Sequence, residues 1–318
     1  MVSTRVVRVG DDTPVVSDGS VVTIGAYDGV HRGHRKVLQL VRELADARGL
    51  DAVCVTFDRH PAQVVRPETA PALLTTLDHK LELLVGAALL DVVCVLEFDE
   101  GRSKESAEDF VHEILVGLLG ARLVVVGADF HFGHRRGGNV ALLERMGADL
   151  GFEVIGLGLV APESDPVHEP YSSTRVRHRL AAGDVAGAAD LLGRPHEVRG
   201  VVVEGDRRGR ELGFPTANVA LTPDTCLPAD GIYAGRFRGA DGVWRPAAIS
   251  LGRRPTFYAD QEHSLLEAYL LDFDGDLYGQ DVAVQFVERL RGEQRFDSVD
   301  DLVAQMHRDC DRARTVLG

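Results

Sequence analysis

Apolar runs typical of β-strands alternate with helical patterns through the first part of the chain. Residues 21–26 are β-rich, and residues 33–48 place Val37, Leu40 and Leu44 at the spacing of one helix face. The alternation continues with strands at 52–57, 91–97, 122–127 and 152–159 and helices at 77–90, 106–119 and 140–150. Strands that alternate with helices predict parallel βαβ units in a doubly wound, Rossmann-like α/β domain. Such sheets bind ligands at the carboxyl ends of their strands.

The pattern changes after two helical segments, at 174–182 and 185–192. Glycine, proline and aspartate turns then separate short β-rich runs at 198–204, 231–238, 244–251, 265–273 and 282–288. Five or six such strands predict a small antiparallel β-barrel. A terminal helix is predicted over 298–317. We therefore predict two domains, residues 1–186 with the parallel sheet and residues 187–318 with the barrel.

The charge balance narrows the class of partner. The chain has 318 residues and a formal net charge of −14, with 45% hydrophobic and 26% charged residues. This composition is ordinary for a globular protein, whereas a general nucleic-acid binder carries a basic face. We therefore expect small-molecule partners and no nucleic acid. Anionic ligands remain allowed, because local backbone amides and arginines act on them more strongly than distant charges do.

Sequence features of membrane and disulfide-rich proteins are absent. No apolar run approaches the ~20 residues that a membrane helix needs, and residues 1–16 lack the apolar core of a signal peptide. The cysteines form no CxxC or Cys/His ligand pattern; they are Cys54, Cys94, Cys226 and Cys310. We expect a cytoplasmic protein with reduced thiols and no membrane partner. The sequence leaves assembly into a homo-oligomer open.

The stretch TIGAYDGVHRGHRKVL, residues 23–38, places His31 and His34 at a predicted helix start. A metal site, a phosphate site and plain packing each account for two imidazoles there. A zinc site needs a third ligand at a recognisable spacing, and HExxH, Walker and GxGxxG patterns are absent. Unpaired N–H groups at a helix start favour an anion, and Gly25 and Gly33 let the backbone approach it closely.

A second dense motif, GDRRGRELGFPTANV, covers residues 205–219. Its glycines permit a loop that folds over a nucleotide. The hydroxyl oxygen of Thr216 and the amide oxygen of Asn218 are hard ligands suited to Mg²⁺ beside phosphates. For GDRRGR alone, an ordinary hairpin with exposed arginines is the other interpretation.

Four motifs of the first part resemble the flavin branch of the HxGH nucleotidyltransferases. GAYDGVHRGH is similar to its GxFDGVHxGH signature, and TFDRHP (56–61) to the segment after its second strand. GADFHFG (127–133) resembles its GxDFxFG or GxNFxFG loop, and YSSTRVR (171–177) its (I/V)SSTxIR motif. The motifs occur in the family's order, each after a predicted strand or at a predicted helix start.

The second part resembles the riboflavin kinases. GDRRGRELGFPTAN is similar to GxxxGRxLGFPTAN, and PADGIYAG (228–235), LGRRPTF (251–257) and LLEAYLLDFDGDLYG (265–279) follow in order. The chain departs from the family at Ser250, where members often carry Asn. The whole chain thus resembles the bacterial bifunctional riboflavin kinase/FAD synthetase family.

This resemblance implies two reactions. The barrel would phosphorylate riboflavin with ATP, giving FMN and ADP, and the α/β domain would adenylylate FMN with ATP, giving FAD and pyrophosphate. Mg²⁺ is expected in both steps. In the second reaction the FMN phosphate attacks the α-phosphorus of ATP. No covalent protein nucleophile is needed, so catalysis is positioning and charge stabilisation.

The resemblance also implies which residues act in adenylyl transfer. His31 and His34 would contact the ATP phosphates as catalytic residues. ATP or phosphate binding is implied for Gly25, Asp28, Gly33, Ser172, Ser173, Thr174 and Arg177. For Asp28, a role in stabilising the turn and a role through Mg²⁺ both stay open. Flavin binding in this half is expected for Phe57, Arg66, Asp129 and Phe130.

Other interpretations of these side chains stay open. The two phenylalanines are equally typical of core aromatics, and Arg66 of a solvated surface. Some relatives carry Asn at the position of Asp129. His131 and His134 lie in a loop rich in His, Arg and Gly, which favours a phosphate-facing or solvated loop over a metal site.

For phosphoryl transfer, Glu267 holds the family's catalytic glutamate position. It would accept the proton of the ribityl 5′-hydroxyl, while Thr216 and Asn218 would hold Mg²⁺. Nucleotide binding is expected for Gly205, Arg210 and Gly213. Arg291 is expected to bind flavin, with a surface role equally open.

Two rival functions accompany this hypothesis. One keeps a single activity with the other domain degenerate, and the intact motifs of both halves argue against it. The other is a flavin-sensing or flavin-carrying regulatory module. That module requires tight flavin binding without turnover and a DNA- or protein-binding element, which the sequence does not show.

Overall fold

The structure, a computed structural model, describes residues 4–9, 16, 18–158, 169–205, 212–253 and 264–318. The chain divides into two compact units, Met1–Ser172 and Ser173–Gly318. Each unit has its own sheet and its own core. The predicted domain boundary between residues 186 and 187 stays a prediction.

A parallel sheet forms the centre of the first unit. Its strands are β1 (Arg5–Arg8), β2 (Ser20–Ile24), β3 (Asp51–Phe57), β4 (Val92–Leu96), β5 (Ala121–Gly127) and β8 (Glu153–Leu157). A separate hairpin consists of β6 (His131–Phe132) and β7 (Gly138–Asn139). The sheet order is β1-β4-β3-β2-β5-β8, with every neighbouring pair parallel.

Helices connect these strands and cover both faces of the sheet. They are α1 (Arg32–Arg48), α2 (Pro61–Val65), α3 (Leu77–Gly86), α4 (Glu100–Ser103), α5 (Ala107–Phe110, continuing as a π-helix over Val111–Leu118) and α6 (Val140–Leu150). Successive strand residues point to opposite faces, so Val22 and Val53 join one core cluster and Val21 and Cys54 the other. Burying a side chain of this size contributes roughly 1.5–3 kcal/mol.

The strand order locates the ligand-binding edge. After β2 the chain runs to β3 on one side, and after β4 it crosses to β5 on the other side. The gap between β2 and β5 is therefore a topological switch point, and ligands of such sheets bind outside the carboxyl ends of the strands there. The loops that contain Gly25 and Asp129 begin at this edge.

A closed antiparallel barrel forms most of the second unit. Its order is β10-β13-β12-β11-β14-β9. The strands are β9 (His196–Val203), β10 (Ala217–Ala220), β11 (Gly231–Arg238), β12 (Trp244–Arg253), β13 (Ser264–Leu270) and β14 (Asp281–Arg291). Tyr233, Phe237 and Phe286 are fully buried in this unit.

Three helices pack around the barrel. They are α7 (Ser173–Ala181), α8 (Val185–Leu192) and α9 (Val299–Leu317). Helix α7 packs on α8, and α8 packs on β9 and β14. Cys310 and Ala313 of α9 share a core cluster with Ala234 and Leu290 of the strands.

The predicted fold class is confirmed: a parallel α/β sheet is followed by an antiparallel barrel with a terminal helix. The sequence analysis does not predict β1 or β10, each of which has only four residues. The helix predicted over 77–90 ends at Gly86, and Ala88 has a left-handed φ of 54°.

Candidate active sites

The loop after β2 is tightly constrained. Tyr27 and Val30 have left-handed φ angles of 51° and 39°, which are strained for residues with a bulky or branched side chain. Both oxygens of the Asp28 carboxylate accept from the Leu74 backbone N–H, at 3.0 and 3.1 Å. Oδ1 also accepts from the Thr75 N–H and hydroxyl. The surroundings thus hold the loop in a conformation it would not adopt alone.

His31 begins helix α1. Its Nδ1 accepts from the His34 backbone N–H at 3.3 Å, so the imidazole caps the helix. The rings of His31 and His34 stack with their centroids 3.6 Å apart. Gly33 lies between the two histidines in the sequence. A Cβ at this position would come within 2.8 Å of the Tyr171 Cβ and 3.1 Å of the His31 ring. This position therefore accepts only glycine without rearrangement.

The environment of His34 favours the neutral imidazole. Burial lowers its pKa well below the usual value, and the charges of His31 and Lys80 lower it further. The Tyr27 ring contacts it at 4.8 Å between centroids. Its Nδ1 is buried and has no hydrogen-bond partner within the described part of the chain. A neutral imidazole has one N–H donor and one acceptor nitrogen to offer a ligand.

Three neighbouring strands bring predicted residues to the same edge of the sheet. Gly25 and His31 follow β2, Phe57 ends β3, and Asp129 and Phe130 follow β5. Both phenylalanines are partly buried against the core. Their ring contacts are Phe57 with Phe98 at 5.3 Å and Phe130 with Phe132 at 5.5 Å. Asp129 is exposed.

The remaining predicted residues of this half belong to other segments of the chain, and Ser172 directly follows Tyr171, which packs against Gly33. Arg66 is exposed at the end of α2. Ser172 is the last residue of the first unit, and α7 of the second unit contains Ser173, Thr174 and Arg177. The chain therefore divides the YSSTRVR motif between its two compact units.

In the barrel, strand register gathers a second set of predicted residues. Glu267 of β13 pairs with Asn218 of β10 on one side and with Ser250 of β12 on the other. Directly opposed residues in antiparallel strands have their Cβ atoms about 4.5–5.5 Å apart. The flanking residues Leu266 and Ala268 are fully buried. Because side chains alternate between the two faces of a strand, Glu267 projects from the outer face of the barrel. Helix α9 packs on another part of that outer face, against residues such as Ala234 and Tyr269.

The residues beside Glu267 fit Mg²⁺ carried by a nucleotide. Asn218 is 8% exposed, and a Cβ at Gly205 would overlap its amide group. Thr216 and Asn218 line a cavity of about 590 Å³ together with Asp274 and acidic and aromatic neighbours. Mg²⁺ in such sites binds one or two protein oxygens plus substrate phosphates and water. No cluster of three or more His, Cys, Asp or Glu side chains suited to a metal occurs in the described ranges.

Comparison with known proteins decides the family. The FAD synthetase family model matches residues 14–174, and the riboflavin kinase family model matches residues 192–317. The bifunctional riboflavin kinase/FMN adenylyltransferase of Escherichia coli K12 is 38% identical over 95% of this chain and 94% of its own. That of Pseudomonas fluorescens is 40% identical over 94% of this chain and 93% of its own.

The chain belongs to the bifunctional riboflavin kinase/FMN adenylyltransferase family. As a member, it phosphorylates riboflavin with ATP to FMN and adenylylates FMN with ATP to FAD and pyrophosphate. The adenylyltransferase domain precedes the kinase domain. The predicted family, the two activities and their order along the chain are confirmed.

A solved structure has the same fold over nearly the whole chain. It is described as a macrolide-efflux protein from Streptococcus pneumoniae and superposes with a TM-score of 0.82 and 29% identity. The match covers 97% of this chain and 98% of that one. Among the described residues of this chain, no helix has both the length and the apolar character needed to span a membrane.

Arg291, predicted to bind flavin in this kinase domain, forms an ion pair within the barrel unit. Its guanidinium donates to both Asp309 oxygens at 2.8 to 3.1 Å, with Asp309 on helix α9. The two side chains are 16% and 9% exposed. This contact attaches α9 to β14, and a role of Arg291 in flavin binding stays a prediction. Arg210 lies outside the described residues, and Gly213 is exposed with a left-handed φ of 85°.

Sequence reasoning missed Lys80, a buried cation of the adenylyltransferase unit. Lys80 is 6% exposed, and its Nζ donates to the carbonyl oxygens of Phe57 at 2.7 Å and Ala26 at 3.3 Å. A signal was present, since Lys80 follows Leu77 by three residues and precedes Leu84 by four. That spacing places a lysine on the apolar face of a predicted helix.

Proposed function

We propose that the two reactions use two separate sites, one at the carboxyl edge of the parallel sheet and one on the outer face of the barrel. The observation that supports this most directly is the register that aligns Asn218, Glu267 and Ser250 across three barrel strands. The corresponding support in the first unit is the stacked pair His31 and His34 at the start of α1.

In the kinase site, Glu267 is the proposed base. Its carboxylate would accept the proton of the ribityl 5′-hydroxyl as that oxygen attacks the γ-phosphorus of ATP. The oxygens of Thr216 and Asn218 would hold Mg²⁺. When bound, Mg²⁺ neutralises the charge that develops on the transferred phosphoryl group. Gly205, Arg210 and Gly213 are proposed to bind the nucleotide, and Arg291 the flavin.

In the adenylyltransferase site, positioning supplies the catalysis. His31 and His34 would donate hydrogen bonds to the ATP phosphates at the start of α1, where the helix dipole favours an anion. Gly25 and Gly33 would keep this approach open, and Asp28 would hold the loop. Further phosphate contacts are proposed for Ser172, Ser173, Thr174 and Arg177, whose hydroxyl and guanidinium groups are donors at the start of a helix.

Flavin binding in the adenylyltransferase is proposed for Phe57, Phe130, Asp129 and Arg66. The partly buried phenylalanine rings at the sheet edge support this role, because aromatic faces stack on planar ring systems. Arg66 has weaker support, from its exposure and charge alone.

Several broader properties belong to the same proposal. We propose that both reactions depend on Mg²⁺, that the protein acts in the cytoplasm, and that its partners are small molecules. The proposed domain boundary between 186 and 187 falls within the interval between the two family matches, which end at 174 and begin at 192. Assembly into a homo-oligomer remains open to measurement of the mass in solution.

Complementation between two variants, each deficient in one of the two reactions, tests the two-site proposal. Glu267→Gln is expected to convert FMN to FAD but to phosphorylate riboflavin only very slowly. The double variant His31→Ala, His34→Ala is expected to accumulate FMN. A mixture of both, given riboflavin, ATP and Mg²⁺, should form FAD through FMN released into solution. FMN formation by Glu267→Gln at the wild-type rate would remove the base assignment. FAD formation by the double histidine variant would remove the phosphate role.

A further inference from the structure

Lys80 occupies an unfavourable position for a cation. It lies on the apolar face of α3 and is 6% exposed. The sequence contains lysine at only two other positions, Lys36 and Lys104, and both are exposed. An ammonium group is rarely buried unless hydrogen bonds and nearby charges compensate for its lost hydration. Burial lowers the pKa of Lys80, an effect that the charge of Asp28 opposes.

The hydrogen bonds of Lys80 join two strand ends. Nζ donates to the carbonyl oxygen of Phe57, the last residue of β3, and to that of Ala26, two residues after β2. Ala26 also accepts from the Thr56 hydroxyl at 3.2 Å. The loop that leads to His31 is therefore attached to the end of β3 at its beginning.

Helix α3 holds the same loop at a second point. The backbone N–H groups of Leu74 and Thr75, just before the helix, donate to the Asp28 carboxylate. Thr75 in turn accepts from the Gly29 N–H at 3.1 Å. Movement of α3 would consequently be transmitted to the loop at both Ala26 and Asp28.

The charge of Lys80 also acts on His34. In the part of the chain that the structure describes, the titratable groups that act on His34 are His31 of its own helix, Tyr27 of the loop and Lys80 of α3. The groups that face Lys80 are Asp28, Cys54 and Asp58. Both His31 and Lys80 lower the pKa of His34, so they keep its imidazole neutral.

We propose that Lys80 is a positioning residue for adenylyl transfer, which holds the loop containing His31 and sets the charge environment of His34. This inference rests on the proposed role of the two histidines at the ATP phosphates. A lysine that served only packing would affect stability but would leave the pH dependence of the reaction unchanged.

Lys80→Met tests the proposal, with Lys104→Met as the matched control on an exposed lysine. Loss of the two hydrogen bonds should lower kcat/KM for FMN adenylylation by about 100-fold, the loss that a ~1 Å misplacement causes. Riboflavin phosphorylation by the same molecules should stay at the control rate. Equal adenylylation by the two variants would overturn the proposal.

The pH profile separates positioning from packing. Without the Lys80 cation, the pKa of His34 rises towards its usual value. The acid limb of kcat/KM for ATP, which reports groups of the free enzyme, should therefore move to higher pH in Lys80→Met. Lys80→Arg keeps a cation and should leave the limb in place, with a lower rate because the longer side chain fits poorly. An unmoved limb in Lys80→Met, or a moved limb in Lys80→Arg, would overturn the proposal.

Further variants address a folding failure of Lys80→Met and separate the role of Lys80 from that of the histidines. If Lys80→Met does not fold, as judged by thermal unfolding of the adenylyltransferase unit, Lys80→Gln replaces it, because glutamine removes the charge and keeps a hydrogen-bond donor. The acid limb of Lys80→Gln should move to higher pH, and an unmoved limb would overturn the proposal. His34→Gln separates the two levels of inference. An inactive His34→Gln beside a fully active Lys80→Met would remove the role of Lys80 alone, whereas wild-type activity in His34→Gln would remove the proposed histidine role.

Discussion

Asn218 and Glu267 face each other across the β10–β13 strand pair, although 49 positions separate them in the sequence. The pair places an amide oxygen suited to Mg²⁺ beside a carboxylate suited to proton transfer. Both side chains project from the outer face of a closed barrel whose interior is packed with apolar residues. The strand register therefore holds the proposed metal ligand and the proposed base at a fixed spacing.

Replacing Glu267 tests the base directly. Glu267→Gln keeps the shape of the side chain but removes its ability to take a proton. The kcat for riboflavin phosphorylation should fall by about 10²- to 10⁴-fold, the range that general bases contribute, with little change in KM for riboflavin. Steady-state kinetics with chromatographic separation of FMN measures both constants. A raised KM with unchanged kcat would assign Glu267 to substrate binding instead.

Replacing Asn218 tests the metal ligand. Asn218→Ala removes the amide oxygen, so half-maximal kinase activity should require at least about tenfold more Mg²⁺, while adenylylation of supplied FMN keeps its Mg²⁺ dependence. Ala220 lies on the same strand and its exposed side chain offers a control in Ala220→Ser. Equal Mg²⁺ titrations for wild type and Asn218→Ala would contradict the assignment.

Gly33→Ala tests the close packing at the start of α1. The added Cβ would lie 2.8 Å from the Tyr171 Cβ and 3.1 Å from the His31 ring. Displacement of His31 should lower FAD formation by about 100-fold, as for other ~1 Å errors in position, and leave riboflavin phosphorylation unchanged.

Gly86→Ala is the matched control for that substitution. Gly86 also lies in a helix, and a Cβ there meets no atom within 4 Å. Alanine at this position should stabilise the protein by about 0.4–1 kcal/mol without loss of either activity. If both glycine variants make FAD equally fast, close packing at Gly33 has no role in catalysis.

Arg291→Met distinguishes helix attachment from flavin binding. Removal of the guanidinium leaves the Asp309 carboxylate, 9% exposed, without its ion-pair partner, which costs about 3–5 kcal/mol for buried pairs. Asp309→Leu in the same chain removes that unpaired charge and should recover most of the lost stability, as measured by chemical denaturation. Full recovery of stability with a persistently raised KM for riboflavin would favour the flavin role.

Local patterns explain why the first half was predictable. The β2, α1 and β3 segments have strong periodicity and clear ends, and the observed elements lie within one or two residues of the predicted ones. The start of α1 was predicted at residue 33 from the helical spacing of Val37, Leu40 and Leu44. That His31 itself caps the helix was not predictable, because Ser, Thr, Asp and Asn are the residues typical of that position.

Non-local pairing explains most of what was missed. The PTAN motif was interpreted as a metal-binding loop, and only the closed barrel shows that Ala217–Ala220 is a strand paired with β13. Register between distant strands depends on the whole barrel and not on either segment. Lys80 was missed for a similar reason, since its partners are carbonyl groups at the ends of other elements.

The half-buried imidazole of His34 predicts how stability depends on pH. Its pKa is lowered in the folded protein, whereas the unfolded chain takes up a proton near the usual value of about 6.5. The unfolded state therefore binds more protons below that pH. As the pH is lowered below that value, protonation of this group should reduce the free energy of unfolding of the adenylyltransferase unit. The reduction is up to about 1.4 kcal/mol per pH unit and stops when the pKa of the folded state is reached.

The contribution of His34 to this pH dependence is measured by comparing the wild type with a variant that lacks the imidazole. His34→Gln cannot take up a proton, so its unfolding free energy should decline less steeply than that of the wild type below about pH 6.5. His112 is exposed in the same unit, and His112→Gln should keep the wild-type slope. Urea denaturation followed at pH 7.5, 6.5 and 5.5 measures all three proteins. Identical slopes for His34→Gln and wild type would mean that His34 titrates alike in the folded and unfolded chain, and its imidazole would then not be held neutral beside His31.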